Sequence, residues 1–238
     1  MRNIAEINSD LASLWEKRFG KGSGAYAPLP YTSPTPGAIV FVGMNPSFSS
    51  RGWKSLLQRA ARPDIDPGSF FKWPSPEDFD EQLAHKLEAL AREHYPFFTP
   101  HKSLATALSL PWEHIDLFAY RETDQSKAKL LVVAKESQVK LTDFGEEQFK
   151  LFEEVLSLAQ PKAVVVVNAL ASQIYRARRS VKFDTTAGLY LDQASTERTF
   201  PVFFSGMLTG ARALDRFSKD RLFWHVANSL GKTWQPDA

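Results

Sequence analysis

Two short apolar runs constrain this chain most: "AIVFVG" at 38–43 and "KAVVVVNA" at 162–169. Both are rich in β-branched residues, and their centres, 38–42 and 163–167, are apolar at every position. A strand with one wet face alternates apolar and polar side chains; a strand apolar throughout is covered on both faces. Such strands belong inside a mainly parallel sheet flanked by helices.

The intervening segments supply those helices. Ile4, Ile7, Leu11 and Leu14 recur at helical spacing, so roughly the first 18 residues read as an amphipathic helix closed by Gly20. "KGSGAYAPLPYTSPTPG" is a connector. A short helix is expected over Trp53–Ala61, then a loop through "RPDIDPGSFFKWPSP". Glu77–Arg92 reads as helix, with Phe79, Leu83, Leu87 and Leu90 on one side, and Pro96 can begin another. "WEHIDLFAY" is a second strand, and helical material follows from Asp124 to Lys135. Thr142 opens a clearer helix, and Ser172 onward returns to helix after the valine run. "GLYLDQASTERTFPVFFSG" reads as two strands around a polar turn, and Ala211–Leu230 as a long terminal helix. The expected fold is α/β: one domain over 1–238, a three-layer α/β/α sandwich with a short, mainly parallel sheet. An N-terminal helix and linker would occupy 1–36 and the core 37–230.

Composition narrows the function classes. With 238 residues, 43% of them hydrophobic, the chain suits one domain. Aromatic residues reach 13%, including 18 Phe and 6 Trp, which fits a large core or rings lining a pocket. Net charge is only +2, which permits nucleic-acid binding without arguing for it. The absence of cysteine excludes disulfides, thiolate metal sites and a Cys nucleophile. The start of the chain lacks the apolar core of a signal peptide, and no apolar run approaches the roughly 18 residues of a membrane span. A cytoplasmic protein without membrane contact is expected. HExxH, Walker, GxSxG and strand-linked GxGxxG motifs are all missing, and the histidines are scattered, so neither metal nor cofactor is expected.

In such a sheet, ligands sit beyond the carboxyl ends of the strands. The segments to examine are therefore Gly43-Met44-Asn45-Pro46-Ser47, then Asp116 with Arg121 and Thr123, then Asn168, then Ser205–Asp215. Gly43 permits close approach to the backbone, Pro46 stiffens the turn, and Asn45 offers an acceptor and a donor together. Alone, an Asn-Pro pair is more often a turn than a site.

The order of these pieces adds a resemblance. "VFVGMNPSFSS" resembles the first motif of the uracil-DNA glycosylase superfamily, closest to the Gly-Met-Asn-Pro form of its single-strand-selective members and the Gly-Ile-Asn-Pro form of its mismatch-specific uracil/thymine members. "HIDLFAYRET", "EEQFKLFEEVLSLAQPKAVVVVNALASQIY" and "FPVFFSGMLTGARALDRFSKDRLFWHVANSL" resemble later segments of the mismatch-specific group in the same order, over about Gly37–Leu230. One segment departs. The family places His-Pro-Ser or Asn-Pro-Ser after the last strand; this chain has Ser205-Gly206-Met207, with none of its five histidines there.

The resemblance implies hydrolysis of an N-glycosidic bond in DNA at uracil or another deaminated or mismatched base, by a monomer needing no metal or cofactor. Asn45 would orient the attacking water, and Ser205 would take the place of the leaving-group residue, with a backbone N–H or Arg212 as substitutes. Gly43, Met44, Pro46, Ser47 and Asn168 would shape the base site. Asp116 aligns with a base-reading amide, yet as a carboxylate it only accepts; it could equally be a structural partner of Arg121. Phe98, then Trp53, are preferred as the stacking ring over Phe70 and Phe97. Arg51, Lys54, Arg121 and Arg212 would meet DNA, and Met207 could wedge into the stack or simply pack at a helix entry. Two alternatives stay open: a catalytically silent nucleic-acid or nucleotide binder of the same fold, and an enzyme acting on a small nucleoside-like ligand.

Overall fold

The computed structural model describes residues 2–20, 23–76, 79–137, 139–195 and 198–235. The two defining runs become β1 (Ile39–Gly43) and β3 (Ala163–Val166), buried at every position. They pair in parallel, Ile39 opposite Ala163. β2 (Trp112–Asp116) flanks β1 and β6 (Arg198–Phe204) flanks β3, both in parallel. β5 (Leu189–Ser195) and β4 (Val181–Asp184) then extend the sheet antiparallel, giving the order β2-β1-β3-β6-β5-β4.

Alternate side chains of the central strands feed two apolar layers. Val40, Val42, Val164 and Val166 pack with α1 (Ile4–Phe19), α7 (Asp143–Ala159) and α8 (Ala169–Arg178). Ile39, Phe41, Ala163 and Val165 pack with α5 (Thr99–Ala107) and α9 (Arg216–Ser229). The result is the expected three-layer α/β/α sandwich. A third cluster joins α2 (Ser50–Arg59), α3 (Pro67–Phe70) and α4 (Glu81–His94) through Trp53, Leu56, Leu57, Phe70, Phe71, Leu83 and Leu87. A 3-10 turn at Pro96–Phe98 leads from α4 into α5, and α6 (Gln125–Val132) precedes α7.

Helix starts follow side-chain caps. Asn3 and Glu6 form a reciprocal capping box on α1, and Thr142 accepts from the Gly145 N–H on α7. Asp215 caps α9, so that helix begins at Arg216 rather than at Ala211. α4 begins at Glu81; the expected start at Glu77 lies outside the described residues, as does the tip of the turn between β5 and β6. β4 and the short α3 were not expected. No described helix is long and apolar enough to cross a membrane.

The connectivity locates the site. β2 lies on one side of β1 and β3 on the other, so the chain reverses its lateral direction at β1. A crevice opens at that reversal, beyond the carboxyl ends of the strands.

Candidate functional site

A cavity of about 580 Å³ occupies this crevice. The size falls within the range of about 300–1,000 Å³ usual for small-molecule sites. All four parallel strands reach it: Gly43–Ser47 from the β1 loop, His114 and Asp116 from β2, Val167 and Asn168 beyond β3, and Met207 beyond β6. Trp53 of α2, Glu88, Arg92 and Tyr95 around the end of α4, Phe97 and Phe98 of the 3-10 turn, and Arg121 and Thr123 after β2 also line it.

The β1 loop is stitched to the segment after β2. Leu117 and Phe118 donate their backbone N–H groups to the Gly43 and Met44 carbonyls, each at 3.1 Å, and Glu122 donates to Pro46 at 3.0 Å. Thr123 Oγ1 donates to the Phe48 carbonyl at 2.6 Å and lies 3.1 Å from Ser47 Oγ. Within this frame Asn45 has one possible orientation. Its Nδ2 donates to the Glu122 carbonyl at 2.7 Å and to the Tyr120 carbonyl at 3.1 Å. Only an NH2 group can face two carbonyls, so Oδ1 is turned the other way. Among the described residues no donor reaches that oxygen, and Asn45 lines the cavity. The site therefore holds a fixed acceptor.

Asn168 is the converse. As the N-cap of α8, its Oδ1 accepts from the Leu170 N–H at 2.9 Å and the Ala171 N–H at 3.1 Å. Its Nδ2 has no partner among the described residues, and the residue lines the cavity. Capping thus turns the amide so that its donor remains unspent.

Gly43 is required by close approach. A Cβ built there would lie 2.1 Å from Asp116 Oδ1 and 3.1 Å from His114 Nε2. Gly43 and Asp116 are register partners, and the carboxylate crosses the space that a side chain would fill. Asp116 Oδ1 and His114 Nε2 lie 3.3 Å apart, with both side chains about nine-tenths buried. The Asp116 partner is thus His114, not Arg121.

The ring wall is Phe97 and Phe98, each with its centroid 5.4 Å from that of His114. Behind them lies His101, fully buried, with neither ring nitrogen hydrogen-bonded among the described residues. Burial, with His114 adding to it, pushes its pKa down to about 2, so the ring is neutral.

Several expectations are corrected here. Arg121 lines the cavity rather than an exposed rim: it is 3% exposed, donates to Glu88 at 2.8 Å and lies over Trp53 and Phe71. Trp53 lines the cavity, yet at 4% exposure within its aromatic cluster it offers little free face; Phe98 is half-buried and better placed. Phe70 is core. Ser205 does not line the cavity, and its Oγ is buried without a partner among the described residues. Met207 lines the wall, half-buried. Lys54 and Arg212 are exposed and line neither this cavity nor the adjoining cleft that takes in Arg51. His114 and Phe97 were not selected from sequence. The period-two spacing of His114 and Asp116 on one face of β2 was the available signal for the first. No group of acidic or histidine side chains among the described residues is arranged to hold a metal.

No family model matches the chain, and no curated protein matches it in sequence.

Proposed function

We propose that the chain is a DNA N-glycosylase that removes a deaminated or mismatched base flipped into the cavity. The observation that carries this reading is the orientation of Asn45, a residue lining a ring-walled niche whose amide nitrogen is spent on two backbone carbonyls and whose oxygen is left without a donor among the described residues. A water held at Oδ1 would add to the sugar C1′ as the N-glycosidic bond breaks. The bond pair would leave with the base, and the water would lose its proton. An amide is too weak a base to deprotonate water first, so departure of the base must lead.

Charge on that base needs fixed donors. Asn168 Nδ2 is one such donor, and the Tyr95 hydroxyl is another on the same cavity wall, whereas Ser205 does not line the cavity. Asp116 sets a further condition: its carboxyl oxygens accept hydrogen bonds and so reward a base presenting an N–H toward them. That condition suits an oxidised or deaminated purine, or the N3 edge of a pyrimidine, better than a base edge made only of acceptors.

The test is an oligonucleotide panel bearing uracil, hypoxanthine, xanthine or mismatched thymine, followed by alkaline cleavage of abasic sites. Strand breaks that disappear in Asn45→Ala are expected. Ser205's position favours the second reading, a silent binder of the same fold; retention of DNA with no breaks on any substrate would select it.

A further inference from the structure

We propose that a second cleft, beside the cavity, is a phosphate site that seats the backbone of a DNA strand; it rests on the base-excision reading only for what occupies the neighbouring cavity. The cleft encloses about 360 Å³ where α2 meets the end of α4. Arg51, Ser55 and Arg59 recur every four residues, so one face of α2 presents a cation, a hydroxyl and a cation. Ser49 and His94 also line the cleft, and among the described residues no carboxylate does.

What sets the two arginines apart is their place together in one hollow; the lack of a carboxylate partner among the described residues is shared by Arg18, Arg176 and Arg212. Arg2, Arg62, Arg92, Arg121, Arg178 and Arg179 all pair with carboxylates. Arg51 and Arg59 have no such partner among the described residues, although they share one hollow. Each guanidinium can take a phosphodiester oxygen pair through paired N–H···O bonds, supplying the counter-charge that the cleft lining lacks. Eight residues of helix separate them by about 12 Å along the axis. That spacing suits two phosphates of a strand better than a single ion. Lys54 does not share the stripe; its charge lies toward Asp66, whose carboxyl is held below its ordinary value mainly by the Ser69 backbone N–H.

The cleft and the cavity adjoin. Ser49, Gly52 and Tyr95 line both. A Cβ on Gly52 would lie 2.6 Å from Tyr95 Oη, so the glycine lets the phenol stand between the two hollows. That hydroxyl has no partner among the described residues, and burial followed by the Glu88 charge pushes its pKa up to about 12, so it keeps its proton. A strand with one base in the cavity would pass this hydroxyl and continue along the arginine stripe.

The probe is a fluorescent single-stranded oligonucleotide with a tetrahydrofuran abasic analogue at its centre, titrated with the full chain at several salt concentrations. The Arg51→Ala/Arg59→Ala double variant should bind at least about tenfold more weakly, with the slope of log K against log salt reduced by about 1.4, two phosphates at about 0.7 each. Lys182→Ala, on β4 at the far sheet edge, should match the wild type. Equal affinity and slope in the double variant, or equal loss in Lys182→Ala, would overturn the cleft. Displacement of the strand by inorganic pyrophosphate at matched phosphate concentration would overturn the strand as its occupant. The two readings fail separately. A full salt effect with no base released from any substrate leaves the cleft standing and excision refuted. Base release with an unchanged salt slope in the double variant does the reverse.

Discussion

The loops after β1 and β6 both end parallel strands at the same crevice, yet they are built differently. The β1 loop is tied to the segment after β2 through backbone and side-chain bonds, and its asparagine is oriented by two carbonyls of that segment, those of Tyr120 and Glu122. The β6 loop is closed by its own backbone bonds, Leu214 to Met207 and Ala213 to Gly210, and leaves Ser205 Oγ buried without a partner among the described residues. Where a polar side chain must hold one orientation, the chain surrounds it with main-chain groups from another element. The β6 loop supplies a wall through Met207, not an oriented polar group.

Asn45→Asp tests this contrast most severely. A carboxylate oxygen would face the Tyr120 and Glu122 carbonyls in place of the amide NH2, for an expected loss of about 3 kcal/mol. Denaturant titration should show a lower midpoint at unchanged slope, and base release should vanish. Gly43→Ala comes next: its methyl group must displace the Asp116 carboxylate, at a cost of about 1–3 kcal/mol with the base site deformed. Thermal unfolding checks the first part and the oligonucleotide panel the second.

His101 reports on the wall beside the β1 loop. Its pKa is depressed in the folded chain, so the unfolded chain binds the extra proton and stability declines as pH falls below about 6.5. The slope from this group should approach about 1.4 kcal/mol per pH unit between pH 6.5 and 4. Denaturation of His101→Leu across that range should show a flatter profile than the wild type. The smallest effect belongs to Ser205→Ala. Removing an unpaired buried hydroxyl should shift stability by no more than about 0.5 kcal/mol and leave base release intact. A tenfold loss of release would show instead that the β6 loop takes part in the chemistry.

The elements that the sequence revealed are those whose signals are local. β1 and β3 are apolar at every position because both faces are covered, and the α1 and α7 caps are written in adjacent residues. β4 left no such trace: "VKFD" is an edge strand with Phe183 more than half exposed, held by its pairing with β5. The site was legible as a set of strand ends, but not as a geometry. Nothing near Asn168 in the chain reveals that capping frees its nitrogen, or near Asn45 that residues 120 and 122 free its oxygen. Arg121 looked like a surface cation because its partner, Glu88, lies 33 residues away on α4. The glycine at 43 was recognised as a point of close approach, but the approaching group is the chain's own Asp116.

Asn45 and Asn168 are each aimed by main-chain atoms of separate loops, and neither depends on the other. Exchanging one leaves the polarity of its counterpart untouched. A lineage carrying this sheet could therefore revise what its crevice accepts in single substitutions, without passing through a collapsed intermediate.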